Sequence, residues 1–455
     1  MKDNEHKKVV VRFPPSPTGY VHIGNVRTLL FTYLFAKKHG GTIIFRSEDT
    51  DAARSTREYE NANREDLSWL GLSWDHFYRQ SERKGIHRAH LERLIKEGKA
   101  YLSKEESKLR PGEQAEVVRL RNPGTSVTFT DEVRGDITFD TAELGDFVIA
   151  RSLDDPLYHF AVVADDFDMG ITHVIRGEEH ISNTPRQILI QEALGAPRPV
   201  YAHLPLILAP DRSKLSKRHG AVSLKEYREQ GFLREALVNY LALLGWNPGT
   251  DEELFTLDEL IKRFDLAGIQ KSAAIFSVEK LRWFNREYIK QMQEADFDRE
   301  VRARLPERLT ALLESDEYQG RFARLLPTLR ERTVVLSDIS RDSEAGEYDF
   351  TFFPPKPMPT FLAWKGDSSP QDARPRLQRI AELLETLPEY PSTEETKTAL
   401  WDYAEREGKG AVLWPLRVAL SGEEKSPDPF TIAAILGRDE TLRRIRRTRD
   451  ILSDT

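Results

Sequence analysis

The chain has 455 residues, 39% of them hydrophobic, which is enough for roughly two to four compact domains, each with its own core. Cysteine is absent, excluding a disulfide framework, a thiol nucleophile and thiolate-ligated zinc, and no apolar run approaches the roughly 18 residues a membrane span needs. Formal net charge is -7 with 31% charged side chains, so any contact with a polyanion must be a local basic surface, and a cytoplasmic address is expected because the start MKDNEHKKVV lacks the apolar core of a signal peptide.

Val9 to Phe13 is a short β-branched run stopped by Pro14 and Pro15, which predicts a buried strand leading into a stiff loop. Val26, Leu29, Leu30, Tyr33 and Leu34 then repeat at helical spacing and give one apolar stripe, ended by Gly40-Gly41. Thr42 to Arg46 reads as a second strand, followed by helical patterns at Tyr59 to Leu70 and Ile86 to Lys96. Such alternation predicts a parallel sheet wrapped by crossovers.

From about Ala100 to Gly145 the pattern loosens into turns and short strand-like pieces such as Thr125 to Phe129, which reads as an insertion. The alternation resumes with Phe147 to Arg151, the apolar Phe160 to Ala164, His173 to Arg176, a helix from Pro185 to Leu194 and the strand-like Leu204 to Leu208. Asp165-Asp166 after an apolar run could be metal ligands, although turn residues are the commoner reading. Beyond Leu224 strands nearly vanish, and Ala236 to Leu244, Leu257 to Phe264, Leu377 to Leu387 and Leu442 to Leu452 carry helical spacing. Gly366 to Pro375, rich in Pro, Ser and Asp, reads as a linker or long loop. The expected fold is α/β: a Rossmann-like parallel-sheet domain (1–99 and 147–224) with an α+β insertion (100–146), a mainly helical segment (225–305) and an all-α C-terminal half (306–455).

Neither a G-x-x-x-x-G-K-[ST] loop nor a G-x-G-x-x-G turn is present, so an ATP enzyme would need another phosphate site. The stretch Arg12-Phe-Pro-Pro-Ser-Pro-Thr-Gly-Tyr-Val-His-Ile-Gly-Asn25 follows a strand and opens a helix, whose first amides can face an anion. Gly24 leaves room for a close ligand, and His22 can donate to a phosphate oxygen. Lys214-Leu-Ser-Lys-Arg218 follows the last strand of the sheet, where open α/β folds bind ligands, and its cations can stabilise charge building at an attacked α-phosphate.

In this order, on the two halves of a split sheet, His22-Ile-Gly-Asn25 and Lys214-Leu-Ser-Lys-Arg218 resemble the two signatures of class I aminoacyl-tRNA synthetases. Arg12-Phe-Pro-Pro-Ser-Pro-Thr-Gly19, Phe45-Arg-Ser-Glu-Asp-Thr-Asp51, Val174-Ile-Arg-Gly-Glu-Glu-His180, Leu281-Arg-Trp-Phe-Asn285 and Leu413-Trp-Pro-Leu-Arg-Val-Ala-Leu-Ser-Gly422 narrow the resemblance to bacterial-type glutamyl-tRNA synthetases. It implies ATP-dependent activation of glutamate and transfer to the 3′ end of a glutamate tRNA, and in some relatives also of a glutamine tRNA. Asn25 stands where class I signatures often carry a second histidine, and Val162 where some relatives have a polar residue.

Glutamate carries two carboxylates and one ammonium, so its pocket should offer two fixed cations and one anion. Arg12, Arg176 and Glu48 match that count. The resemblance implies that Arg12 with Tyr158 reads the side-chain carboxylate, that Arg176 reads the α-carboxylate, and that Glu48 with Ser16 takes the ammonium, Pro14 completing the pocket. It places His22, Gly24, Glu179, Ile207 and Lys214, Leu215, Ser216, Lys217 and Arg218 around ATP, with His22, Lys214 and Lys217 as the catalytic groups.

Magnesium is expected to arrive with ATP, held mainly by phosphates and water, and no zinc is expected because the short insertion has no cysteine. The partners implied are tRNA, L-glutamate and ATP, with no membrane and a monomeric chain. Candidate tRNA contacts are Arg282, Trp283 and Arg286 on the acceptor side and Trp414, Arg417, Arg443 and Arg447 on the anticodon side. Core packing is the competing reading of both tryptophans, and helix-dipole pairing that of the last arginines, because Asp439 and Glu440 open their helix. Two other functions compete: a paralogue that attaches glutamate to a tRNA base, which would lack the long helical half, and a silent RNA-binding relative, which would not need Arg12, His22, Glu48, Arg176, Lys214 and Lys217.

Overall fold

A computed structural model describes residues 8–51, 53–106, 114–213, 215 and 223–452. The chain forms two compact units, Met1–Asn285 and Arg286–Thr455.

In the first unit β1 (Val10–Phe13), β2 (Thr42–Ser47) and β3 (His76–Arg79) form a parallel sheet with β2 in the middle; β1 and β2 are buried on both faces, as apolar runs demand, and β3 is the more exposed edge. The crossovers are α1 (Ile23–Lys38) and α2 (Arg57–Trp69), and α3 (Lys84–Lys96) leaves the sheet after β3. Helix α1 is buried well beyond the predicted stripe: Phe31, Thr32, Phe35 and Ala36 are covered along with Val26, Leu29, Leu30, Tyr33 and Leu34. It ends as the glycine pair predicts. Gly40 takes φ +59°, and a Cβ on Gly41 would lie 2.8 Å from the Val9 carbonyl oxygen.

The insertion begins with β4 (Ala100–Glu106) and β5 (Gln114–Leu120), continues through the hairpin β6 (Ser126–Asp131) and β7 (Gly135–Asp140), and returns by β8 (Phe147–Ser152) and β9 (Asp155–Pro156). Strands β4, β5, β8 and β9 form an antiparallel sheet. The second half of the parallel sheet follows as α4 (Tyr158–Asp168), β10 (His173–Gly177), α5 (Thr184–Leu194) and β11 (Val200–Leu204). Strands β10 and β11 are parallel. The two halves meet where the Thr172 amide donates to the Val10 carbonyl at 2.9 Å. Beyond β11, β6 joins in parallel register through Asp131 opposite Tyr201.

Two sequence expectations are corrected here. Phe160 to Ala164 belongs to α4, so Asp165 and Asp166 are buried helical residues and not turn residues. Leu204 to Leu208 is not one strand: Pro205, which has no amide to donate, separates β11 from the two-residue β12 (Ile207–Leu208). Strand β12 pairs with β13 (Ala274–Ile275), and between them lie α6 (Leu224–Glu229), α7 (Arg234–Leu243) and α8 (Leu257–Arg263). Helices α7 and α8 pack against α1, where Phe31 and Phe264 rings lie 5.1 Å apart. On the other face a continuous core joins Ile44, Leu91, Leu94, Phe160, Val163, Val174, Ile188 and Tyr201. Helix α9 is Val278–Gln291.

The second unit is helical from Glu294–Arg302 to Arg438–Ile451. The Ser- and Asp-rich stretch at 366–372 is less a linker than a helix start: Ser369 and Asp372 exchange capping bonds immediately before the helix Ala373–Leu384. The final helix carries Asp439 and Glu440 in its first turn and Arg449 in its last, the polarity the helix dipole favours.

Candidate active site

The edge of the parallel sheet at the C-terminal ends of β1, β2 and β10 carries the site, because that is where each strand hands over to a loop or helix start. Arg12 lies near the end of β1, Glu48 just past β2, and Arg176 near the end of β10. All three are nearly covered, at 3%, 8% and 7% exposure. The Arg12 charge acts on both Glu48 and Arg176, and Glu48, Arg176 and Arg12 all act on Tyr158 at the start of α4.

Arg12 is anchored by one edge. Its Nε donates to Asp166 Oδ2 at 3.3 Å, while its Nη1 is buried with no hydrogen-bond partner among the described residues. An unpaired buried guanidinium nitrogen is costly, so this donor is poised for an acceptor that arrives from outside. Arg176 makes no ion pair among the described residues. It donates to three neutral acceptors, His203 Nε2 at 3.0 Å, Gln187 Oε1 at 2.7 Å and Thr184 Oγ1 at 2.8 Å. Each terminal nitrogen keeps a second N–H, and burial followed by the nearby Arg12 charge pushes its pKa down.

Glu48 is held by both ends of its backbone and side chain. Its amide donates to the Pro15 carbonyl at 3.0 Å, and its Oε1 accepts from Arg46 Nη2 at 2.9 Å. Burial pushes this carboxyl up, against the opposing pull of Arg46 and then Arg12. Arg46, fully buried on β2, also pairs with Asp166 Oδ1 at 2.7 Å. Burial works against the Arg46 charge, but Asp166, Glu48 and Asp165 together raise its pKa. Asp165 in turn accepts from Arg83 Nε at 2.7 Å, Gln80 Nε2 at 2.9 Å and His87 at 2.8 Å. The ordinary ion pairs that compete for Arg12 and Glu48 are therefore real, yet they leave Arg12 Nη1 unspent.

At the start of α1, His22 is the cap: its Nδ1 accepts the Gly24 amide at 3.1 Å. A ring nitrogen that accepts carries no proton, so in the neutral imidazole the proton sits on Nε2. A Cβ on Gly24 would lie 3.4 Å from that same Nδ1, so a side chain there would crowd the cap. Val21 and His22 are tied to the segment that follows the lysine loop, through the Leu224 amide to the Val21 carbonyl at 3.1 Å and the His22 bridge to Ser223. Asn63 of α2 organises the preceding loop, accepting the Val21 amide at 2.7 Å and donating to the Gly19 carbonyl at 3.1 Å.

Ile207 is buried on β12, and the Glu179 carboxylate lies directly over Gly177, where a Cβ would collide with it. Leu215 is buried, whereas Lys214, Ser216, Lys217 and Arg218 lie outside the described residues. Pro14 is half-buried and Ser16 exposed. Sequence reading missed Asp166 as an Arg12 partner, and it missed Arg27. The latter sits on α1 with its Nη2 on the Pro205 carbonyl and Nη1 3.4 Å from the Leu244 carbonyl. Burial pushes its pKa down to about 10, with Glu179 and Glu178 opposing.

Among the candidate tRNA contacts, Arg282 and Trp283 are exposed on α9, Lys280 Nζ lying 4.1 Å above the Trp283 ring. In the second unit Arg286 donates to the Glu331 carbonyl at 3.0 Å. Trp414 is half-buried; its indole N–H donates to the Phe361 carbonyl at 2.7 Å and its ring lies 5.6 Å from that of Trp364. Arg417 is half-buried, Arg443 pairs with Glu440, and Arg447 is exposed.

The chain matches the family model for the catalytic domain of class I tRNA synthetases (E and Q) over residues 8–109 and 102–283, and that for an anticodon binding domain over 278–449. It is 41% identical to a glutamate–tRNA ligase of Carboxydothermus hydrogenoformans, over 96% of this chain and 99% of that protein. Identity to the glutamate–tRNA ligase of Aquifex aeolicus is also 41%, over 98% of this chain and 100% of that one. Among solved structures, a glutamate–tRNA ligase from Elizabethkingia meningosepticum in complex with its amino acid superposes with a TM-score of 0.81 at 32% identity, covering 98% of this chain and 100% of the other.

Proposed function

The chain belongs to the glutamate–tRNA ligases of the class I tRNA synthetase family, and on that premise we propose that Arg12, Arg176 and Glu48 hold the glutamate it activates with ATP. The observation that carries this assignment is the buried Nη1 of Arg12, without a partner among the described residues, beside an arginine that among those residues makes no ion pair, and a carboxylate. Arg12 with Tyr158 takes the side-chain carboxylate, Arg176 the α-carboxylate, and Glu48 with Ser16 the ammonium, Pro14 lining the pocket. The α-carboxylate oxygen attacks the α-phosphate of ATP and pyrophosphate leaves. A ribose hydroxyl at the tRNA 3′ end then attacks the acyl carbon and AMP leaves.

For the nucleotide, the amides opening α1 and the Nε2–H of His22 offer donors to phosphate, with Gly24 admitting the close approach. Glu179, Ile207 and Leu215 line the nucleotide, Lys214, Lys217 and Arg218 supply the positive charge that stabilises the transition state, and Ser216 adds a hydroxyl donor. Magnesium enters with ATP, carried by phosphate oxygens and water. The tRNA acceptor end meets Arg282, Trp283 and Arg286, and its anticodon meets Arg417, Arg447 and their neighbours in the helical unit. That unit, matched over 278–449 as an anticodon binding domain, is the part a base-glutamylating paralogue would lack.

The test is ATP–pyrophosphate exchange with glutamate, with and without tRNA, followed by charging of a glutamate tRNA. Glutamate-dependent exchange that Arg12→Ala and Arg176→Ala abolish supports the assignment. Exchange that proceeds equally well in both variants removes it.

A further inference from the structure

The turn between β6 and β7 belongs to the insertion, yet it reaches the catalytic sheet at two points. Asp131, buried at 1% exposure, accepts the His203 ring Nδ1 at 2.6 Å and the His203 amide at 3.0 Å. The other face of that ring, Nε2, accepts Arg176 Nε at 3.0 Å. Arginine only donates, so Nε2 has no proton and the imidazole proton sits on Nδ1, toward Asp131. The carboxylate thus fixes the tautomer, and the tautomer fixes which edge of Arg176 is engaged and which N–H groups remain for a ligand. Three residues from β6, β11 and β10 form one chain of bonds ending at a guanidinium.

Three residues further on, Arg134 pairs with Glu178, whose Oε1 accepts the Leu206 amide at 2.8 Å. Leu206 immediately precedes Ile207. The same turn therefore touches the amino-acid side of the site through His203 and the nucleotide side through Glu178. Gly135 closes the turn at φ +80°, a conformation that disfavours any side chain.

We propose that the β6–β7 turn is a positioning element for both reactants, Asp131 setting Arg176 through His203 and Arg134 setting the Leu206–Ile207 backbone through Glu178. The proposal rests on the assignment of Arg176 to glutamate and Ile207 to ATP. Asp131→Asn presents an amide N–H to His203 Nδ1, so the ring proton must move to Nε2, where it meets the Arg176 donor head on. This is the logic by which a carboxylate-to-amide change beside a histidine selects the wrong tautomer. Burial first, and then the Arg176 charge, lower the His203 pKa against the pull of Asp131, which keeps the ring neutral and able to accept.

The experiment measures KM for glutamate and for ATP separately, in charging of a glutamate tRNA by the full chain. Asp131→Asn is expected to raise KM for glutamate by about ten- to a hundredfold, the weight of a hydrogen bond to a charged group, with little change in KM for ATP. His203→Asn, whose short amide still reaches Asp131 but not Arg176, should reproduce that pattern and serves if Asp131→Asn folds poorly. Arg134→Ala should raise KM for ATP and leave that for glutamate near wild type. Arg176→Lys is the control: if it does not raise KM for glutamate, the underlying assignment fails. If it does while Asp131→Asn and His203→Asn do not, or if each turn variant moves both KM values together, the positioning role is overturned.

Discussion

Asp166 Oδ2 lies 3.3 Å from Arg12 Nε, so a helical carboxylate separated from β1 by 154 positions sets the edge on which the substrate arginine is held. Its other oxygen is taken by Arg46 at 2.7 Å, so the carboxylate cannot turn away from either partner. Asp166→Asn places an N–H against one of the two guanidinium groups. Breaking such a buried pair costs about 3 to 5 kcal/mol when the remaining charge finds no substitute, so the melting temperature should fall. KM for glutamate should rise in the same variant, because Arg12 loses its anchor. Unchanged melting and unchanged KM together would show that the pair does no positioning.

His22 combines two roles that a single substitution can separate. His22→Asn keeps a side-chain oxygen where Nδ1 caps the Gly24 amide, so the roughly 1 kcal/mol of capping stability should survive. It removes the Nε2 donor, and the rate of glutamate activation should drop about a hundredfold, as for loss of one preorganised donor to developing charge. Thermal unfolding and pyrophosphate exchange on the same preparation check both halves. A wild-type exchange rate would reassign His22 as a cap alone.

The motifs made Arg12, Glu48, Arg176 and His22 legible because each lies in a short contiguous run with family character. Their supports were not, since pairs such as Arg12 with Asp166 or His203 with Asp131 join residues 154 and 72 positions apart. Asp165 and Asp166 were misread because two adjacent acids look like a turn until buried arginines are known to meet them. The Leu204 to Leu208 run hid its break because both sides of Pro205 are apolar. Helical periodicity served the second unit well, where packing of amphipathic helices leaves the pattern in the sequence.

Glu48 gives a pH dependence with a definite sign. Burial raises its folded pKa, so its ionised form costs stability above that pKa, and the cost is relieved as pH falls through it. Protonation also removes the charge that pairs with the substrate ammonium. KM for glutamate should therefore climb on acidification, beginning above the ordinary carboxylate range, and Glu48→Gln should flatten the profile at a uniformly high KM. A Glu48→Gln profile that keeps the wild-type slope would assign the titration to another group.

On the final helix, Arg443 and Arg447 should behave differently toward tRNA. Arg443 is committed to Glu440, whereas Arg447 is exposed and makes no ion pair among the described residues. Arg447→Ala should weaken tRNA binding and flatten its salt dependence by about 0.7 to 0.9 in the log–log slope, one phosphate contact's worth, with Arg443→Ala closer to wild type. Binding titrations at several salt concentrations would read this directly, and equal slopes for wild type and Arg447→Ala would take the residue out of the interface.

The most direct measurement is kcat/KM for glutamate in tRNA-supported ATP–pyrophosphate exchange, compared between wild type and Arg12→Ala. The variant should fold, because Asp166 keeps Arg46, and should lose about 2 to 5 kcal/mol of transition-state binding, the cost of leaving a carboxylate without its partner. Exchange at a near-normal rate at ordinary glutamate concentrations would contradict the account.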